Sequence, residues 1–517
     1  MAAETNTTLT AAQIAAALAK TRAKNGRAFS RKFYLTYNII VVGLFLLACA
    51  AYWVNIHLVQ KPRSNEKRPL IGQGRAKPGR YSAITNLYRK ARGVLLYQPP
   101  GRYLESYGTM LVIGLYLGLN AFYCFYDSTF NRRVLANRFG LMSVVNMPIL
   151  FLLGSKTGLL VQWTGWSHEG YIILHRHAGR VVCLTALGHV VAFCSSRSLA
   201  SYLEKTRFIL GFVSLLAFLI ILVTSISPIR NRMYETFLYA HVYFLVVGMV
   251  VLYFHYARCR PYIITSGVIF IWDRVVRFKD SHHVVGRTEN VSGETVKLSL
   301  DVNSTFRDIH WKTGQYIYVT ISELARTQAH PFTIASHPSA STLDLIIRAR
   351  RGFSRSLYDS EKTEHKVTFH GPYGSPATFE NCQKVILLAG GAGVSYTYPE
   401  AIELAKGDKF FDGETPEIDF LWVVPKRDFA DWVDLDSAKY GVDFKLWVTA
   451  ESGRPDIKQY VKDSVLETLK QNNYDPDTKV AVAVCGPAPL VLASRNACAD
   501  LLWDNVNVMF YSESFGW

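Results

Sequence analysis

Apolar positions along this chain follow two regimes. In the first half they form long blocks, at 37–59, 107–126, 139–161, 170–195, 208–227, 235–257 and 262–278. Blocks of that length with few charges predict helices that cross a bilayer. Seven are predicted, the last being short and ending on the basic stop WDRVVRFKD. After Lys279 the pattern becomes short and alternating: HHVVGRTE, TVKLSLDV, GQYIYVTI, LDLIIRARR and KVTFHGPYG. Strands at this spacing predict a small antiparallel barrel. From Lys384 onward, apolar runs at 384–389, 418–424 and 480–484 alternate with helical stretches and predict a doubly wound α/β sheet. The expected fold is therefore a helical transmembrane bundle of about seven helices followed by a barrel and an α/β domain. The boundaries are a tail at 1–36, a first helix at 37–59, a basic loop at 60–106, a six-helix region at 107–279, a barrel at 280–378 and an α/β domain at 379–517.

Composition fits this bipartite reading and excludes a plain soluble enzyme. Of 517 residues, 50% are hydrophobic and only 19% charged. The net charge of +17 does not signal nucleic acid, because most of the excess lies beside membrane segments, where Lys and Arg set topology and meet anionic lipid. The stretch 61–102 alone holds 11 Lys/Arg and is expected in the cytoplasm. Arg230, Arg232, Arg274, Arg277 and Lys279 fall on the same side, which places the soluble half there too. An odd helix count then puts the N-terminal tail outside, although the tail carries six basic residues; the sequon at Asn6 is compatible with that side, and no cleavable signal peptide is recognised. The eight cysteines show neither a paired framework nor metal spacing.

Three histidines interrupt the 170–195 block, where lipid alone would tolerate none. His175 and His189 are 14 residues apart, and so are His241 and His255 in the 235–257 block. At ~100° per residue that spacing returns to within ~40° of one helix face, with ~21 Å between the levels. The two blocks are the fourth and sixth, so they run in one direction, and His175 is expected to face His241 and His189 to face His255. Stacked bis-imidazole pairs without thiolate or carboxylate suit haem iron engaged in electron transfer. His177 competes poorly, lying ~120° off the face of His189. Arg132, Arg133 and Arg138 are placed to meet haem propionates or to anchor helix ends.

In the soluble half, two stretches interrupt the strand pattern: His330-Pro331-Phe332-Thr333-Ile334-Ala335-Ser336 and Arg350-Arg351-Gly352-Phe353-Ser354. An aromatic ring, hydroxyls and backbone amides on a barrel can hold a flavin; HPFT reads equally as a proline-bearing strand edge. An apolar strand then enters Gly390-Gly391-Ala392-Gly393, where glycines let the backbone approach a pyrophosphate, although the strict G-x-G-x-x-G spacing is missing. Cys485-Gly486-Pro487 ends a later strand. Lys426 and Arg427 follow the strand FLWVV, where a ribose 2′-phosphate or plain solvent would meet them.

Together these features resemble the ferric reductase family, the fungal membrane reductases related to NADPH oxidases. The resemblance covers roughly 107–517 and rests on the two histidine pairs, LHRHAGR, HPFT, GPYG, AGGAGVS, CGP and the ending ESFGW, in this order. It implies a ferredoxin-reductase-like module of FAD barrel plus NADPH domain, with FAD, two haem b groups and NADPH as cofactors. It implies that His330 to Thr333, with Ile334, Ala335 and Ser336 beyond them, bind FAD, with Gly352 and Ser354 near its phosphates. Gly390, Gly391, Gly393, Cys485, Gly486 and Pro487 would bind NADPH, and Phe515, or its rival Trp517, would cover the flavin ring. The chain departs from the family pattern at Ser395 and Pro425. The implied activity is reduction of ferric or cupric chelates at the outer face of the plasma membrane for iron uptake, with an iron permease or multicopper oxidase as partner class. The alternatives are a superoxide-generating NADPH oxidase and a transporter or haem-uptake protein with a regulatory nucleotide domain.

Overall fold

The computed structural model describes residues 35–47, 49–50, 80–101, 104–126, 131–157, 159–164, 166–195, 204–302, 309–324, 328–407, 415–475 and 478–513. The chain divides into two units: 1–54, 116–152 and 175–268 form one, and 55–115, 153–174 and 269–517 the other.

Among the described residues, five helices rather than seven are long and apolar enough to span a membrane: Tyr107–Phe125, Arg132–Leu153, His168–Cys194, Thr206–Thr224 and Tyr234–His255. The expected first span is represented by the shorter apolar helix Leu35–Leu47, and residues 51–59 lie outside the described residues. The expected last span is a 20-residue helix, Arg260–Lys279, whose charged residues dilute its hydropathy. The third span is shifted from the expected 139–161. It starts at Arg132, where the Asn131 side chain caps the helix by accepting from the amides of Arg133 and Val134, and it is interrupted at Asn146. Asn146 is buried and fully engaged. Its amide donates to Asn120 Oδ1 at 2.7 Å, and its Oδ1 accepts from Tyr37 at 2.6 Å and Tyr116 at 2.7 Å. Such pairing is what a polar side chain inside lipid requires. The helices Thr206–Thr224 and Tyr234–His255 approach closely through Gly248, where a Cβ would stand 3.0 Å from the Phe218 ring.

The first element among the described residues of the second unit is a helix, Arg80–Leu96, inside the expected basic loop 60–106. It packs on Ala488–Trp503, the last helix of the chain. Gly93 makes the close approach, since a Cβ there would lie 2.8 Å from Ala499 O. Arg89 Nη1 donates to Asn505 O at 2.9 Å, and Gln98 and Asn496 exchange two hydrogen bonds.

The barrel is a six-stranded sheet ordered β4-β3-β6-β1-β2-β5. Its strands are β1 (Ser281–Val291), β2 (Thr295–Asp301), β3 (Tyr316–Ile321), β4 (His330–Thr333), β5 (Thr342–Arg348) and β6 (Glu364–Tyr373). A bridge from Ile334 to Leu345 joins the two ends of that order. Leu298, Leu300, Ile317, Val319, Ile321 and Phe369 fill the interior with essentially no exposure, as alternation along the strands dictates. HPFT is the strand β4. Among the described residues its strand partner is β3, and Pro331 is tolerated at such an edge.

A five-stranded parallel sheet follows, ordered β11-β10-β7-β8-β9. Its strands are β7 (Lys384–Gly390), β8 (Glu417–Val424), β9 (Phe444–Val448), β10 (Lys479–Cys485) and β11 (Asn507–Glu513). The chain builds outward from β7 to β9 and then crosses to β10 and β11. The order therefore reverses between β7 and β10, which is the position at which doubly wound sheets bind ligands.

Candidate functional site

The four spaced histidines meet as two pairs. The ring centroids of His175 and His241 are 6.2 Å apart, and those of His189 and His255 are 6.5 Å apart. Both pairs form only if the helices run parallel with their 14-residue spacings in register. Two imidazoles sharing one metal ion need about 6 Å between centroids, given metal–nitrogen bonds of about 2.0 Å on each side. The observed spacings leave room for one ion in each pair and little more. His177 belongs to neither pair. Among the described residues no group of three or more His, Cys, Asp or Glu side chains is arranged to hold a metal ion, so each pair offers two nitrogens and no further ligand.

What the rings do with their other nitrogens matters as much. His175 Nδ1 donates to Leu150 O at 2.9 Å, His189 Nδ1 to Ala136 O at 2.6 Å, and His255 Nδ1 to Arg207 O at 2.5 Å. Ser225 Oγ gives its own proton to Ile221 O, so it faces His241 Nδ1 at 3.4 Å as an acceptor. A carbonyl can only accept. Each of those three rings therefore carries a proton on Nδ1, so that its neutral form presents a bare Nε2, the orientation by which proteins prepare histidine for a metal.

The acceptors share a device absent from the sequence reading. Gly140 lies four residues after Ala136, and Gly211 four after Arg207. A Cβ on Gly140 would come within 2.5 Å of His189 Nδ1, and one on Gly211 within 2.7 Å of the His255 ring. The missing side chain lets a histidine from another helix reach a carbonyl that already belongs to the helix ladder. The third acceptor, Leu150, also stands four residues before a glycine, Gly154. Carbonyl at i and glycine at i+4 is a readable pattern, but it gains meaning only once the histidines are known. Arg132 and Arg133 occupy the first turn of the Arg132–Val145 helix. Arg138 is buried and donates to Tyr126 O.

In the barrel, His330 stacks on Phe353 with centroids 4.6 Å apart and planes 14° from parallel. The two interrupting stretches of the sequence thus meet in space. Gly352 stands at φ +74° immediately before the short helix Phe353–Tyr358, and Ser354 Oγ accepts from the Arg350 amide at 2.9 Å. Thr333 is buried opposite Tyr316 in the β3–β4 ladder. Ile334, Ala335 and Ser336 are spent on the fold itself. The Ile334 amide donates to Gln315 O, that of Ala335 to Asp344 O, and Ser336 accepts from the Asp344 amide and, at its carbonyl, from Trp311.

Beside His330 lies a cation from a distant part of the sequence, with no motif to mark it. Lys156 Nζ sits 4.4 Å from the Tyr318 ring centroid. Its loop is pinned by Asp273, whose Oδ1 accepts from Ser155 Oγ and from the amides of Lys156 and Thr157, while Oδ2 pairs with Arg277 at 2.9 Å. Burial, helped by the Lys156 charge, pulls the His330 imidazole down to about 4, and its Nε2 is buried without a partner. An unfolded histidine, near 6.5, binds a proton in the interval where the folded one does not. The stability from this group is therefore complete above ~6.5 and is lost as pH falls through that value toward about 4. Acid unfolding of the wild type should consequently be steeper over that window than unfolding of His330→Gln, as followed by tyrosine fluorescence.

At the sheet's reversal point the two glycine turns touch backbone to backbone. A Cβ on Gly393 would stand 1.9 Å from Cys485 O, one on Gly390 2.5 Å from Pro487 Cδ, and one on Gly486 2.9 Å from Gly390 Cα. Gly391, at φ +53°, faces open space. The Val394–Lys406 and Ala488–Trp503 helices start directly after these turns, so amide-rich helix entries flank one crevice. Cys485 is fully buried and its thiol is held well above the usual range by burial. On the next strand Glu513 lies in register with Cys485, and burial pushes its carboxyl up to about 8. Arg427 pairs with Glu451 at 2.9 Å. Phe515 and Trp517 lie outside the described residues.

Residues 139–252 match the family described as ferric reductase like transmembrane component, and residues 284–377 match an FAD-binding domain. The chain thus carries a ferric-reductase-like membrane component followed by an FAD-binding domain. Among curated proteins it is similar to a probable ferric reductase transmembrane component of Candida albicans, at 26% identity over 58% of this chain and 46% of that one. It is also similar to ferric reductase transmembrane component 4 of Saccharomyces cerevisiae, at 24% over 71% of this chain and 54% of that one. Ferric/cupric reductase transmembrane component 2 of the same yeast matches at 26% over 72% of this chain and 60% of that one. The chain spans about half the length of these relatives.

Proposed function

We propose that the protein is a transmembrane metalloreductase that passes electrons from NADPH through FAD and two b-type haems to ferric, and also cupric, chelates. The observation that carries this reading is the double histidine pair, with one ion's width between each pair of rings and the Nδ1 positions turned to acceptors. When bound, the nicotinamide supplies a hydride, the flavin divides it into single electrons, and the haem irons conduct them one at a time.

The chain's own residues hold and orient these groups. His175 with His241, and His189 with His255, would hold one haem iron per pair, at two levels ~21 Å apart along the helices. His330, Phe332 and Thr333 on β4, with Gly352 and Ser354, provide the flavin surface, and Lys156 adds a positive charge beside it. Gly390, Gly391, Gly393, Gly486 and Pro487 keep backbone amides open to a pyrophosphate at the crevice, while Cys485 and Glu513 end the adjacent strands β10 and β11 in register. Reduction of a metal chelate needs no general acid or base, so the acceptor would require no catalytic side chain of its own. The basic loops favour a cytoplasmic soluble module and an acceptor on the outer face, with the plasma membrane as the expected location. Ferrous product calls for an iron permease or a multicopper oxidase as partner.

A reduced-minus-oxidised spectrum of the purified protein tests the reading, together with NADPH-driven reduction of extracellular Fe(III) chelate with and without superoxide dismutase. Haem b bands with dismutase-resistant reduction are expected. Reduction abolished by dismutase would make the protein a superoxide-generating oxidase. Absence of haem would overturn the electron path altogether and leave the transporter reading.

A further inference from the structure

The helix Arg80–Leu96 has two faces, and among the described residues only one of them packs on another element. Asn86, Arg89, Gly93 and Leu96 turn toward the Ala488–Trp503 helix, with Arg89 and Gly93 buried. On the opposite side Ile84 is 68% exposed and Leu87 71% exposed, and Tyr88, Val94 and Leu95 are exposed with them. At ~100° per residue these five fall within one arc of ~120°, with Ala91 inside it. Lys90 lies at one edge of that arc and Arg92 at the other. An exposed apolar stripe edged on both sides by cations is the pattern of a helix lying in a bilayer surface. It is not the pattern of a water-facing helix, for which the stripe would be charged.

The position of the helix favours lipid over a protein partner. Immediately after it, the amide of Tyr107, first residue of the Tyr107–Phe125 span, donates to Tyr97 O at 3.0 Å. Gly108 approaches so closely that a Cβ would lie 3.0 Å from Leu95 O. The C-terminal end of the two-faced helix is thus fixed to the entry of a membrane-spanning helix, at the level where headgroups must lie. The patch continues onto the docked helix through Trp503, 55% exposed, with Lys90 Nζ 5.6 Å from its ring centroid. Tryptophan and lysine together are the side chains that favour this depth.

We propose that Arg80–Leu96 is an interfacial helix that binds an anionic lipid leaflet through Ile84, Leu87, Tyr88, Val94, Leu95, Lys90 and Arg92, and so fastens the carboxy-terminal α/β domain to the membrane surface. Phospholipid headgroups with net negative charge are the ligand class. The site is separate from the histidine pairs and from the nucleotide crevice, so its test involves neither iron nor nucleotide.

The full-length chain, with Leu87→Cys as the labelling position and Cys49 and Cys194 changed to serine, is labelled with a single fluorophore; the six remaining cysteines are buried. It is reconstituted into nanodiscs of phosphatidylcholine, with or without about 30% phosphatidylserine. Quenching by lipids carrying a nitroxide near the headgroup is compared with quenching by aqueous iodide. Lipid quenching about threefold stronger than iodide quenching is expected for a side chain sunk several ångströms below the surface. Adding Lys90→Glu and Arg92→Glu should lower lipid quenching about twofold in the anionic discs and leave it nearly unchanged in the neutral ones. Quenching mainly by iodide in both lipids would overturn the proposal by showing the face open to water. Protection from both quenchers would overturn it by showing a protein cover.

Discussion

Replacing His175 with alanine is expected to remove one of the two proposed haems, halving the pyridine haemochrome yield per protein, and to lower reduction of extracellular ferric chelate by about two orders of magnitude or more. The magnitude follows from position. Loss of a mere supporting partner of a histidine ligand already costs about ten- to a hundredfold in metal affinity or activity. Loss of the ligand itself leaves His241 with no ring across from it at 6.2 Å. The second pair has its own acceptors, Ala136 O and Arg207 O, on other helices, so its haem should remain and report a spectrum of its own. Flavin content, read after acid release, should stay at the wild-type level, because the barrel's core and β4 do not depend on His175. A variant that kept two haems per chain would remove His175 from the ligand set and bring His177 back into consideration.

The pairing was legible because it depends on little beyond helix geometry. A period of ~3.6 residues turns a spacing of 14 into one face, and two blocks of equal spacing and equal direction then align without further information. What surrounds the pairs was not legible. Gly140 and Gly211 carry no signal alone, since a glycine in an apolar helix reads as a weakness or a packing site. Their role lies in the proximity of a ring from elsewhere in the chain. The third span was misplaced for a related reason. Hydropathy begins counting where charge ends, at Phe139, whereas the helix begins at Arg132 behind an Asn131 cap that was readable from sequence. The Arg80–Leu96 helix escaped because its arginines and lysines were counted as topology charges. Its apolar residues at 84, 87, 88, 94 and 95 were too few to raise a hydropathy average. In the soluble half, the barrel and the central strands followed from alternation and from buried apolar runs. The edge strands β9 and β11 did not, because Phe444–Val448 and Asn507–Glu513 mix polar and apolar positions without a clean period. The meeting of His330 with Phe353 is a tertiary fact that neither motif contains.

Changing Gly393 to alanine is expected to abolish NADPH-driven reduction of the haems while leaving reduction by dithionite intact. The reason is steric and local. The Cβ would lie 1.9 Å from Cys485 O and 2.5 Å from its carbonyl carbon, and both belong to backbone held in the β10 ladder. Real Cβ contacts do not occur at such distances, so the turn after β7 and the turn after β10 must separate. Forcing a methyl into packed structure usually costs ~1–3 kcal/mol, and an obstacle made of backbone belongs at or above the upper end of that range. The separation occurs at the reversal point of the sheet, where on the proposed reading both turns present amides to one pyrophosphate, so nucleotide affinity should fall with it. Gly391→Ala provides the contrast. Nothing lies within 4 Å of a Cβ there, and only the φ of +53° opposes it. That conformational cost is about 1 kcal/mol, so the KM for NADPH should rise by no more than about tenfold. Dithionite bypasses the nucleotide crevice and reports directly on the histidine pairs, so unaltered haem bands in both variants would confine the damage to the crevice. If Gly393→Ala retained the wild-type KM and rate, the two glycine turns would not form the nucleotide site, and the pyrophosphate would have to be sought elsewhere along the carboxyl ends of the strands.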